Sequence, residues 1–97
     1  MNSSILNLST DIKRECKKLY IAYKYDTNFV DITVQKERLC LAINAKFDQI
    51  SDPKGICKNI AGKGRWGNGD VEVFFSSLAE LDDVMAIIIQ ALDLQMN

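Results

Sequence analysis

Three short segments between Leu19 and Ile43 alternate apolar and polar residues with period two, and the connections between them are too short for anything but antiparallel pairing. Leu19, Ile21, Tyr23 and Tyr25 share one parity, with Tyr20, Ala22 and Lys24 on the other. Val30, Ile32 and Val34 alternate with Asp31, Thr33 and Gln35, and Leu39, Leu41 and Ile43 alternate with Cys40, Ala42 and Asn44. Turn residues separate them at Asp26-Thr27-Asn28 and near Lys36-Glu37. The pattern demands a three-strand meander with one apolar face in need of cover.

The cover is also written in the sequence. Ser77 with Glu80 three residues on makes a capping box, and Leu81, Val84, Met85, Ile88 and Leu92 follow it at helical spacing. A shorter helix is predicted over about 53–61, from Asp52 before Pro53, the pair Ile56 and Ile60, and Gly62 as a stop. Val71, Val73 and Phe75 alternate as a fourth main strand, and Ile5 and Leu8 suggest a first helix over roughly 3–9. The expected fold is α+β. It has an antiparallel sheet of about four to five strands, helices mainly on one face, and the order α-β-β-β-α-β-α. At 97 residues and 47% apolar content this is one domain over 1–97, with 1–18 as a helical lead-in and 19–94 as the core.

Several chemistries are excluded or left without support. With no histidine there is no Ser-His or Cys-His pair and no zincin helix. Cys16, Cys40 and Cys57 are odd in number and lack the spacing of a zinc or iron–sulfur site, which fits reduced thiols and a cytoplasmic protein. No run approaches the roughly 18 apolar residues of a membrane span, and residues 1–11 do not read as a signal peptide. No metal, cofactor or catalytic set is expected, and an enzyme is the least supported class.

Charge is divided along the chain. All twelve basic residues lie between Lys13 and Arg65, against seven acids in residues 1–65, whereas residues 66–97 hold six acids and no base. The basic half begins with Lys13, Arg14, Lys17 and Lys18, read as a solvated connector before the first strand. It ends in a glycine-rich segment, 54–69, holding Lys54, Lys58, Lys63 and Arg65 and all five glycines. Gly62 to Gly67 matches GxGxxG, but a dinucleotide site needs a strand before the glycines and a helix after, and here that order is reversed. Backbone N–H groups in such a loop can still form a phosphate nest. Asn68-Gly69 is a type I′ hairpin signal at the start of the next strand, which is the commoner role for Asn68 than binding. Trp66, the lone tryptophan, is more often a lid on the core than a stacking platform, though Lys63 and Arg65 beside it suit single-stranded nucleic acid. Asp70 and Glu72 share a parity and read as a solvated strand face.

The stretches Leu19-Tyr20-Ile21-Ala22-Tyr23-Lys24, Asn28-Phe29-Val30-Asp31-Ile32, Asp52-Pro53-Lys54-Gly55-Ile56-Cys57-Lys58 and Gly64-Arg65-Trp66-Gly67-Asn68-Gly69-Asp70-Val71-Glu72-Val73 carry a family likeness. They resemble a bacterial domain of unknown function, sometimes labelled a predicted transport protein, over about Leu19 to Leu92. The resemblance implies a C-terminal module of longer proteins, some of them similar to restriction enzymes with NTPase and nuclease domains. It implies no catalytic residues and a longer helical lead-in where residues 1–18 stand, and its transport label conflicts with the lack of a membrane segment. Three functions follow as expectations. The first is a non-catalytic accessory module of a restriction or defence-type protein, contacting nucleic acid or a partner domain through Lys54, Lys58, Lys63, Arg65, Trp66 and Asn68. The second is a protein-interaction or homo-oligomerisation domain, and the third a small phosphate or nucleotide binder.

Overall fold

The computed structural model describes residues 2–60 and 69–96. Its elements run α1 (Asn2–Leu6), β1 (Lys13–Cys16), β2 (Ile21–Lys24), β3 (Asn28–Val34), β4 (Leu39–Ile43), β5 (Cys57–Asn59), β6 (Val71–Phe75) and α2 (Leu81–Met96), with single 3-10 turns at Phe47–Gln49 and Leu78–Glu80. The strands form one sheet in the order β1-β2-β3-β4-β6-β5, and each neighbouring pair is antiparallel. The expected meander is β2-β3-β4. The expected fourth strand, β6, pairs with β4 through Leu41↔Val73 and Ile43↔Val71.

Two strands were not expected, and the element order changes with them. Lys13–Cys16, read as a connector, is the edge strand β1; it is polar and mostly exposed, so it carries no alternation to be seen. The helix expected over 53–61 is a correction. Gly55 takes φ +67°, its N–H donates to Asp52 O at 3.2 Å, and the Asp52 carboxylate accepts from Ile56 N at 3.0 Å and Cys57 N at 2.8 Å. An N-cap would serve the second and third residues beyond it. This carboxylate instead closes a tight turn that releases the chain, extended, into β5. Cys57, Lys58 and Asn59 then pair with Val73, Glu72 and Val71.

The core lies on one side of the sheet. Tyr23, Val30, Ile32, Leu41, Ile43, Val71 and Val73 pack there against Ile5 of α1 and against Val84, Ile87, Ile88, Ala91 and Leu92 of α2. A register shift between β2 and β3 pairs Tyr23 with Val30 but Lys24 with Asn28, so Phe29 is one extra residue. The bulge turns Phe29 and Val30 both into the core. Helix α2 is started by the expected capping box: Ser77 Oγ accepts from Ala79 N at 3.3 Å, and Glu80 Oε1 accepts from Ser77 N at 3.0 Å. Two glutamines tie the helix to loops. Gln90 exchanges hydrogen bonds with the Ser51 backbone at 2.8 and 2.9 Å, and Gln95 Oε1 accepts from Asp26 N and Thr27 N, each at 3.1 Å.

Candidate functional site

The opposite face of the sheet carries charged residues, and Ala22, Asp31, Cys40 and Glu72 on it are buried but stand outside the core cluster. The registers place Glu15, Ala22, Asp31, Ala42, Glu72 and Lys58 in a single row across all six strands. At the β1 end Glu15 is paired with Lys17 at 2.9 Å and with Lys24. The Lys24 hydrogen bond first, then that of Lys17, holds the Glu15 carboxyl down at about 2. In the middle, Asp31 and Glu72 are 3% and 4% exposed, which corrects the solvated face expected for Glu72. Both are hydrogen-bonded as buried acids must be: Asn28 Nδ2 donates to Asp31 Oδ1 at 2.9 Å and Cys40 Sγ donates to Glu72 Oε2 at 3.4 Å.

At the β5 end stands a stack of two cations on one ring. The Arg38 guanidinium lies 3.6 Å from the Phe74 ring centroid, and Lys58 Nζ lies 5.0 Å from the same centroid. Each member is placed by the ladder. Lys58 is opposite Glu72 on β6, Phe74 is two residues further along the same face, and Cys40, opposite Phe74, follows the turn that carries Arg38. Arg38 Nε donates to Gln35 Oε1 at 2.9 Å, which fixes the plane of the guanidinium. Its terminal nitrogens make no hydrogen bond among the described residues. Phe74 is half-buried, and Lys58 and Arg38 are exposed.

Of the residues singled out from sequence, Lys58 is in this stack and Lys54 is exposed in the turn preceding β5. Lys63, Arg65, Trp66 and Asn68, with the GxGxxG string, lie outside the described residues. Phe74 and Arg38 were not anticipated. The signal that finds them is register: once Lys58 is set on a strand beside β6, the parity of Glu72 and Phe74 brings the ring to the cation.

The Cys57 thiol is not activated. Burial, and then the Asp52 charge, push the Cys57 thiol up to about 12, so it stays protonated. Burial also raises Asp52, but the N–H groups of Cys57 and Ile56 outweigh it and hold that carboxyl below its ordinary value. Cys16 is exposed and Cys40 buried, and all three cysteines are free. Among the described residues no group of three His, Cys, Asp or Glu side chains could hold a metal ion, and no helix is long and apolar enough to cross a membrane.

Residues 1–95, which include α1, all six strands and all but the last residue of α2, match the family model described as "Domain of unknown function (DUF5655)". The chain belongs to this family. A relative, an "Uncharacterized protein" of Haemophilus influenzae, is 43% identical over 88 residues, covering 91% of this chain and 29% of the relative. The chain thus spans less than a third of the length of that relative. No solved structure matches.

Proposed function

We propose that this domain is a non-catalytic binding module for phosphate-bearing polymers, single-stranded nucleic acid above all, and an accessory unit of a longer bacterial protein of restriction or defence type. The observation that carries the binding reading is the Arg38–Phe74–Lys58 stack on the sheet face opposite the core. A guanidinium held flat on a ring offers a planar surface for a base and open N–H donors for phosphate, and Lys58 adds a second cation beside it. Lys54, a few residues before Lys58, extends the positive charge. Lys63, Arg65, Trp66 and Asn68 belong to the proposal on sequence grounds, as cations and a stacking ring between β5 and β6. The accessory reading is supported by the relative, in which the matched stretch is only 29% of the whole.

Fluorescence anisotropy with labelled single-stranded DNA, single-stranded RNA and duplex DNA over a salt series tests the binding. Affinity is expected to fall linearly in log–log against salt, with single strands favoured. Phe74→Ala is expected to weaken binding about tenfold, because Arg38 and Lys58 then lose the ring that positions them. Arg38→Ala and Lys58→Ala should each lower the salt slope by about one. Absence of salt-dependent binding even at low ionic strength overturns the reading. A melting temperature raised by free mononucleotides, without polymer binding, would favour the small phosphate binder instead.

A further inference from the structure

Among the described residues the three most exposed large apolar side chains are Leu78 at 80%, Val34 at 71% and Leu19 at 67%. The topology brings them to one end of the molecule. Ile21 pairs with Ile32 at the end of the β2–β3 ladder, so the β1–β2 turn that carries Leu19 and the end of β3 that carries Val34 lie at the same end of the sheet. Val34 pairs with Leu39, and Leu39 with Phe75. Leu39, Phe75 and Leu78 share a cleft of ≈ 290 Å³ with the β3–β4 turn. Single exposed apolar residues are ordinary on a protein surface, whereas a contiguous group points to a partner.

The rim of this patch is weighted in charge, with Lys18, Lys36 and Arg38 against Glu37 on the side of the turns. Lys18 and Lys36 stand on the β1–β2 and β3–β4 turns, both exposed and without an ion pair among the described residues. Asp82 and Asp83 stand on the other side, in the first turn of α2 just beyond Leu78. We propose that this end is a two-fold self-association surface whose occupant is a second copy of the chain. In a two-fold contact both copies present the same patch, turned by 180°. That operation sets the lysine side of one copy on the aspartate side of the other, while Leu19, Val34 and Leu78 meet across the centre. A rim of one sign would repel itself under the same operation. With extents of 31 × 29 × 29 Å, the end is wide enough for the ~800 Å² per partner of a standard interface. The rims are exposed, so the contact is salt-sensitive.

Sedimentation velocity over a concentration series at low and high salt tests this. The wild type is expected to show a monomer–dimer equilibrium at low salt that moves toward monomer at high salt. Lys18→Glu with Lys36→Glu, and separately Asp82→Lys with Asp83→Lys, should each weaken the dimer about tenfold or more. An equimolar mixture of the two variants should form a heterodimer, and the fourfold swap should regain the homodimer. Leu78→Ser should lose the dimer while keeping the wild-type circular dichroism. If the aspartate variant loses its fold, the lysine variant and Leu78→Ser decide the matter. A monomer at every concentration and salt overturns the proposal, as does a dimer that neither the lysine variant nor Leu78→Ser disturbs. A monomer that pellets with anionic lipid vesicles also overturns it and assigns the patch to a membrane surface. None of the substituted residues belongs to the Arg38–Phe74–Lys58 stack, so failure here leaves the nucleic-acid reading untouched.

Discussion

Gly55 and Gly69 take positive φ, +67° and +91°, yet they have different surroundings. A Cβ on Gly55 would meet nothing within 4 Å, so a substitution there carries only the backbone cost of the left-handed region, about 1 kcal/mol. A Cβ on Gly69 would stand 2.1 Å from Ile43 O and 2.6 Å from Asn44 Cα, and both are backbone atoms that cannot swing away. The close approach lets Asp70 N reach Ala45 O at 3.0 Å and starts β6 in the register that turns Glu72 and Phe74 to the candidate site. Gly69→Ala is therefore expected to destabilise by about 3 kcal/mol, against about 1 for Gly55→Ala, with Gly55→Asn milder still because asparagine tolerates that region. Urea unfolding of the three variants checks the order. A Gly69→Ala protein as stable as Gly55→Ala would contradict the close approach.

The start of α2 depends on a few polar atoms. Glu80 Oε1 accepts from Ser76 N at 2.9 Å, Ser76 Oγ at 3.2 Å and Ser77 N at 3.0 Å. The Ser76 N–H bond, ahead of the smaller desolvation cost, sets the Glu80 carboxyl below its ordinary value. A carboxyl lowered on folding stabilises above its unfolded pKa, and that contribution disappears as pH falls through the lowered folded value. The melting temperature of Glu80→Gln should accordingly lie below wild type at neutral pH and converge on it below the ordinary glutamate range. A gap that stays constant with pH would show that the charge is not involved. This cap was legible because a box is local, four residues long and chemically distinctive. The meander was legible because alternation survives wherever one face is buried and the other is not. At 53–61 the same local reasoning misled, since Asp-Pro starts turns as well as helices and only the left-handed Gly55 separates the two. Strand β1 was hidden for a different reason: an edge strand exposed on both faces has no apolar period to display. The stack was half legible. Lys58 stood out as a cation in a basic segment, but Phe74 and Arg38 meet it only through the pairing of β5, β6 and β4, which no local pattern contains.

The division of charge along the sequence is only partly a division in space, since Glu15, Asp31 and Glu72 share one row of the sheet with Lys58. Lys13, Lys24 and Lys58 share the sheet face opposite the core, while Asp82 and Asp93 project from the exposed side of the helix that covers the core. The two proposed surfaces adjoin at the β3–β4 turn, where Arg38 lines the cleft shared by Leu39, Phe75 and Leu78, and hydrogen exchange away from that turn can tell them apart. In the free domain β3, β4 and β6 each have a partner on both sides, and all three supply core residues. Their amides should open only with global unfolding. Strand β1 pairs only with β2, and β5 pairs with β6 over three residues, so both edges should exchange sooner. Adding a single-stranded oligonucleotide should slow exchange in β5 and around Arg38, with little effect at the β1–β2 turn. Raising the protein concentration at low salt should instead slow residues 17–20 and 76–82. Mass spectrometry of the exchanged protein resolves segments of this length. Slowing of both segments together under either condition would mean that one surface serves both partners, and the separation drawn here between stack and apolar end would fail.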